Sequence, residues 1–260
     1  MTIKLLQLNI YKGNFLKELI SFVQQENFDI LHLQEVYSGN VIFDDVDKSL
    51  VGINCFKRLT NTLGYKGELT NIVELATPDG KYFSMGNATL FKPSLPLHKD
   101  AIVWLRPFQK YTTLDKPRVE EYPRNALILR LTNQHPLLFI NTHLAWSKTS
   151  DDTPEKLQQA EILFSYIKSL KTPFVLTGDF NVSLSSEIIK HLNQLARNLT
   201  LEYEITNTLN PSIHKAKDVF PKGLVVDFAY ASASVLITDF RLIDTPTLSD
   251  HFGYSLTLEV

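Results

Sequence analysis

Short apolar runs, each closed by a polar side chain, recur along the chain, and stretches of helical periodicity separate several of them. Ile3–Ile10 reads as a strand with Asn9 near its exit. Gly13 and Asn14 break it. Phe15–Gln25 then carries Leu16, Leu19, Ile20 and Val23 at helical spacing, with Asn14 placed to cap the helix. Asp29–Val36 is a second apolar strand, closed by Glu35. Strand, helix and strand thus deliver Asn9 and Glu35 to one end of two strands, the end where α/β sheets bind ligands.

Residues 37–84 show the weakest pattern. Asp44, Asp45 and Asp47 read as a solvated helix start, because the spacing of a calcium loop is missing. Val51–Leu63 is expected as a helix, Pro78-Asp79-Gly80-Lys81 as a turn, and Gly86–Phe91 as a strand stopped by Pro93. The stretch 94–123 has a modest basic excess in Lys99, Arg106, Lys110, Lys116 and Arg118. These read as solvated charges, with a phosphate-facing role the alternative. Arg124 is better placed, at the head of the strand Asn125–Leu131.

Pro136–Leu144 is a core strand running into His143, and Trp146 follows at the rim. Thr153-Pro154-Glu155 opens a helix over 154–171, with Leu157, Ala160, Leu163, Phe164 and Ile167 as its apolar face. The strand Phe174–Leu176 leads to Gly178, Asp179 and Asn181. Ser185-Ser186-Glu187 opens a further helix to about Leu199. Asn210–Gly223 is a loop carrying His214, Lys215, Lys217 and Lys222. Val225–Ala231 encloses Asp227, Val235–Leu242 is another strand, and Leu248–Gly253 turns into the last, Tyr254–Val260. With no repeat, low-complexity tract or linker, residues 1–260 read as a single domain.

Composition narrows the class. The chain of 260 residues is 44% hydrophobic and 21% charged, enough for a sizeable core. Lys plus Arg is 26 against 28 for Asp plus Glu, a formal net charge of -2, which is not the footprint of a basic nucleic-acid-binding domain. Cys55 is the single cysteine, so neither an intramolecular disulfide nor a multi-cysteine zinc site is possible. Polar residues interrupt the apolar ones at the start, which reads as neither signal peptide nor membrane span. A cytoplasmic monomer is the expectation.

The chemistry lies at the polar strand ends. Gly178 is expected to free the backbone, so that Asp179 and Asn181, two residues apart, project together from the lip of a sheet. The plain alternative is an Asx-rich turn. An Asp among apolar neighbours, as Asp227 is, calls for a hydrogen-bonded partner. Asn9, Glu35, His143, Asp179, Asn181, Asp227, Asp250 and His251 are all groups that ligate a hard cation, position water or move a proton. There is no Gly-rich phosphate loop with its Lys, and no Ser on a Gly-x-Ser-x-Gly elbow.

Leu8-Asn9-Ile10, Leu33-Gln-Glu-Val36, Asn141-Thr-His-Leu144, Gly178-Asp-Phe-Asn181, Val226-Asp-Phe228 and Ser249-Asp-His251 together resemble the endonuclease/exonuclease/phosphatase superfamily, in its order and over nearly the whole chain. The resemblance implies a four-layered α/β sandwich, two mixed β-sheets face to face with helices outside, as in DNase I. It implies a Mg2+ or Mn2+ ion with Glu35 as main ligand and Asn9 and Asp250 nearby. Asp179 would orient or deprotonate the attacking water, and Asn181 would hold that water or the phosphate. His251 would touch the scissile phosphate, oriented by Asp227, and His143 would be a second phosphate contact or proton donor. Tyr11 stands where branches acting at abasic sites carry an acid, and His143 is similar to the branches of DNase I, neutral sphingomyelinase and the phosphoinositide phosphatases. The expected activity is divalent-metal-dependent hydrolysis of a phosphodiester, with nucleic acid as the first substrate. Arg124, Lys215, Lys217 and Lys222 are its expected phosphate contacts. A phosphatase or phosphodiesterase acting on a phosphoinositide, a sphingomyelin-like head group or a small phosphoester is the alternative. An inactive binding module on the same fold is a third reading.

Overall fold

The computed structural model describes residues 1–41, 47–112, 118–215, 220 and 223–260. Thr2–Asn9 (β1) is followed by the helix Leu16–Glu26 (α1), which returns the chain so that Ile30–Gly39 (β2) pairs parallel to β1, with Asn9 opposite Gln34. Helix Cys55–Leu63 (α2) leads into an antiparallel hairpin of Lys66–Ala76 (β3) and Tyr82–Phe91 (β4). Leu97–Arg106 (β5), Lys110–Thr112 (β6), Arg124–Leu131 (β7) and Leu137–His143 (β8) follow. Helix Pro154–Ser169 (α3) then crosses over to Phe174–Asp179 (β9), which pairs parallel to β8. The remainder is Glu187–Leu192 (α4), Arg197–Asn198 (β10), Leu199–Glu202 (α5), Asp227–Ala231 (β11), Leu236–Ile243 (β12) and Gly253–Glu259 (β13).

Two mixed sheets result, one in the order β12-β13-β1-β2-β4-β3-β6 and the other β10-β11-β9-β8-β7-β5. Strand alternation decides what each face buries. Leu6 and Leu8 of β1 face outward, packing with Leu19 and Val23 of α1 and Leu59 of α2. Ile3 and Leu5 face inward and meet Leu129, Phe139 and Val175 of the second sheet. On the far side of that sheet Ile140 and Leu176 pack against Leu163 of α3 and Ile188 of α4. Helix, sheet, sheet and helix are therefore four layers, the α/β sandwich expected. Among the described residues no helix is long and apolar enough to cross a membrane.

Several element boundaries differ from the sequence expectation. Strand β2 does not end at Glu35 but continues to Gly39, and its pairing with β4 slips between Leu33 and Val36, a β-bulge in which Glu35 takes φ 55. Asn14 does not cap α1. Phe15 stands at the N-cap without a side-chain bond, and Asn14 Oδ1 accepts from the Asp47 N–H at 2.7 Å. Helix α2 begins four residues later than Val51, where Asn54 accepts from the Lys57 N–H. The helix opening at Glu187 stops at Leu192, short of Leu199. Leu157 is 44% exposed, because the buried face of α3 runs through Lys156 and Gln159 instead. Strands β3, β5 and β6 had no counterpart in the pattern.

Of the acidic and basic runs, Asp47 caps a short 3-10 turn, Lys48–Leu50, and Asp44 and Asp45 lie outside the described residues. Lys99 pairs with Glu68 at 3.4 Å, Lys110 with Glu74 at 2.9 Å and Arg118 with Glu121 at 2.7 Å. Lys116, Lys217 and Lys222 lie outside the described residues.

Candidate active site

One rim of the sandwich collects the polar groups, and the strand directions explain how. The parallel strands β1, β8 and β9 end there with Asn9, His143 and Asp179. Strand β11 runs antiparallel to β9, so Asp227 reaches the same rim as the first residue of its strand, directly across from Asp179. Arg124 does likewise at the start of β7, and Asp250 and His251 precede β13. The inward face thus changes character along its length: apolar at Ile3, Leu5 and Phe139, then polar at Gln7, Asn9, Asn141 and Asp179.

Asp227 is fully buried and held by two donors. Gln7 Nε2 donates to Oδ1 at 3.1 Å, and His251 Nδ1 lies 2.9 Å from Oδ2. Gln7 in turn donates to Gln34, and Gln34 donates to Asn141, an amide relay that crosses from one sheet to the other. Burial alone would depress the His251 pKa, but Asp227, Asp179 and Asp250 outweigh it and hold the imidazole well above its usual value. The pairing expected between Asp227 and His251 is the geometry found, and it directs Nε2 toward Asp179, 3.9 Å away. His143 Nε2 reaches the same Asp179 oxygen at 3.6 Å, while burial, with Arg124 and His251 nearby, keeps this imidazole neutral.

Asp179 is buried, and Asn9 Nδ2 donates to its Oδ2 at 3.0 Å. Desolvation, reinforced by Asp227, raises its pKa to about 7. Asp179 and Asn181 do not share a face by strand alternation. Asn181 leaves the strand at φ 53, and its N–H donates to Asp179 Oδ1 at 2.9 Å, so the Asx turn and the site are one structure. Gly178 also acts differently from expectation. It is extended, and a Cβ there would meet the Thr142 carbonyl oxygen at 2.0 Å, so glycine lets β8 and β9 close up behind Asp179.

Lys156, in the first turn of α3, was not singled out from the sequence. Its buried ammonium donates to the carbonyls of Asn181 at 2.8 Å, Asp151 at 3.0 Å and Thr149 at 3.1 Å, and burial lowers its pKa to about 8. The Asn181 side chain donates to Leu144 O at 3.2 Å, the carbonyl that also accepts from buried Arg124 Nε at 3.0 Å. A polar residue on the inner face of a helix is the only sequence signal for Lys156. The amides Gln7, Gln34 and Asn141 were missed as well, although a polar residue two positions before Asn9 shares its face.

Asp179, Asn181, His251 and Arg124 border a cleft of about 400 Å3 that also reaches Glu35, Asp250, His214, Lys215 and Trp146. Trp146 is at the rim, as expected. The Ser249 hydroxyl donates to Asn9 O at 2.6 Å, and its oxygen lies 3.2 Å from Asp250 Oδ1. Asn9 Oδ1 accepts from the Tyr11 N–H at 3.1 Å, so this amide is committed on both sides. Glu35, which the bulge leaves half-buried at the cleft, has no hydrogen-bond donor among the described residues. Two groups among the described residues gather ligand atoms within 4.8 Å: His214 with Asp250 and His251, and Asp179 with Asp227 and His251. The second is a satisfied hydrogen-bond network. Carboxylate oxygens of Glu35 and Asp250 are the donor type that a hard cation such as Mg2+ or Mn2+ takes.

The model of the endonuclease/exonuclease/phosphatase family matches residues 6–251. A member of that family from Bacteroides vulgatus has a similar structure, with TM-score 0.70 and 18% identity over 100% of this chain and 99% of its own. The mannosyl-6-phosphatase of Bacteroides thetaiotaomicron gives TM-score 0.69 and 16% identity, covering 99% of this chain and 100% of the other. D. rerio TDP2 in complex with a single-strand DNA product gives 0.65 and 16%, over 100% and 99%. No curated protein matches the sequence.

Proposed function

The chain belongs to the endonuclease/exonuclease/phosphatase family, and from that premise we propose that it hydrolyses a phosphodiester with a divalent cation, Mg2+ or Mn2+, in the cleft around Asp179. The observation that carries this reading is the Asp179 carboxylate itself. It is buried, oriented by Asn9 and Asn181, flanked by two imidazoles, and raised to about 7, where a general base works best near neutral pH. Asp179 takes the proton of the attacking water. His251, kept protonated by its carboxylate neighbours and oriented by Asp227, donates a hydrogen bond to the phosphoryl oxygen. His143 and Arg124 stand behind it as further donors, and Asn181 orients the water. Glu35 and Asp250 hold the cation. The cation when bound neutralises phosphoryl charge and lowers the pKa of a bound water.

Nucleic acid is the first substrate to try. The second reading is a small phosphoester, favoured by a cleft of about 400 Å3, the size of a small-ligand pocket. An inactive binding module would be expected to have lost one of the polar groups, and all remain. The test offers plasmid DNA, RNA, a phosphoinositide, sphingomyelin, a sugar phosphate and a chromogenic diester to the protein with Mg2+ and with chelator. At least one should be hydrolysed with the metal and spared with the chelator. Asp179→Asn should then lose roughly two to four orders of magnitude in kcat, the usual general-base contribution, with the thermal midpoint held. Normal turnover with an early melt would make Gly178-Asp-Phe-Asn181 a structural turn.

A further inference from the structure

The bulge at Glu35 does more than place a carboxylate. Beyond it the first sheet continues: β2 runs on through Val36–Gly39, paired with Phe83–Gly86 of β4, and β4 is paired with β3. On β4, Phe83 and Met85 share one face, and Leu75 of β3 stands directly across from Phe83. All three border the cleft. They are nearly buried, packed in the core beneath, so this wall is fixed before anything binds. Buried Tyr122 also borders the cleft, and at its mouth stand Val119 and Trp146, apolar side chains 39% and 41% exposed.

One cleft therefore has a polar end, with Glu35, Asp179, Asp250 and His251, and an apolar wall beside it. Lys12, Arg124, Lys148 and Lys215 also border it, four cationic side chains beside the three carboxylates, so an anion finds partners there and the wall suits something that is not water. A polynucleotide threaded through would bring further phosphates, each seeking cations. An apolar substituent attached to a single phosphate satisfies both halves at once.

We propose that the Leu75–Phe83–Met85 wall, with Val119 and Trp146 at its mouth, is a subsite for an apolar alkyl or aryl substituent of the phosphoester whose phosphate lies at Asp179. This rests on the hydrolase reading for its orientation, and its test separates the two. Alkylphosphonates from methyl to hexyl, each below its micelle concentration, are titrated calorimetrically into the protein with Mg2+. Burial of a methylene at about 0.8 kcal/mol makes affinity rise roughly fourfold per added carbon until the wall is covered. In Trp146→Ala and Met85→Ala the hexyl-to-methyl ratio should shrink severalfold. Equal affinity for methyl and hexyl, or a ratio untouched by both variants, overturns the subsite. Alongside, alkyl p-nitrophenyl diesters, the matching alkyl monophosphates and thymidine 5′-p-nitrophenyl phosphate are assayed for turnover. Graded binding with no turnover of any ester keeps the subsite and rejects the hydrolase. Turnover in which the thymidine ester surpasses the hexyl ester keeps the hydrolase and rejects the subsite.

Discussion

Asp227 shows how a single carboxylate is made useful by being buried. An unpartnered charge at that depth would be costly, and the structure meets the cost with Gln7 on one oxygen and His251 on the other. His251 is thereby fixed in tautomer and direction, as a carboxylate fixes the imidazole in metal and acid–base centres. The two should behave as one unit. Asp227→Asn and His251→Ala are each expected to lower kcat by roughly two to four orders of magnitude, and the double variant by little more. Losses that multiply would mean that the two side chains act independently. This pair was legible because an acid in an apolar strand demands a donor. The amides behind it were not, since Gln7, Gln34 and Asn141 look like ordinary strand polarity until two sheets face each other. Glu35 was legible as a stranded acid, but the positive φ that aims it into the cleft leaves no local mark in the sequence.

At the scale of elements, periodicity identified the strands that are buried on both faces. Strands β1, β8 and β9 read as apolar runs because each lies between a helix layer and the other sheet. Strands β3 and β5 lie toward the edges and lack a regular buried-and-exposed alternation: β3 mixes half-buried with buried residues and β5 runs from exposed to half-buried, with Glu68, Glu74, Lys99 and Asp100 among them, so they resemble loops. Helix α3 was found but rotated, because Lys156 occupies a core position that hydrophobicity would never assign to lysine. Its ammonium ties the first turn of the helix to the Asn181 turn and the 149–151 lip. Lys156→Met keeps the shape and strands three carbonyls, each left unsatisfied at about 1–3 kcal/mol if no water replaces the donor. The melting midpoint should fall. Per folded molecule, kcat should also fall about a hundredfold, the effect of an ångström's misplacement of a positioning group. An unchanged kcat in the folded fraction would reduce Lys156 to a structural anchor.

For the whole molecule, the space between the sheets is both core and machinery, and this has a consequence for acid stability. His32 lies in the middle of that space, its Nδ1 2.8 Å from the Thr177 hydroxyl and its ring edge-on to Phe139 at 6.3 Å. Burial pushes its pKa down to about 3, so the folded protein refuses a proton that the unfolded chain accepts near 6.5. Between those values the unfolded state binds more protons, and stability falls with falling pH by about 1.4 kcal/mol per unit for this one residue. His143, also held neutral, acts in the same sense. Asp179 opposes them. Raised to about 7, it takes its proton in the folded state first, so acidification from 7 toward 4 adds stability through this group. His251, raised rather than lowered, has made its contribution in full once the pH is below 6.5. A wild-type profile alone would blend these terms, and a difference isolates one. Urea unfolding of wild type and His32→Gln at pH 7, 6, 5 and 4 should show a gap that shifts in favour of the variant by about 1.4 kcal/mol per unit below pH 6. A gap constant across that range would mean that His32 protonates in place, and that the sheets can open enough between them to admit a charge.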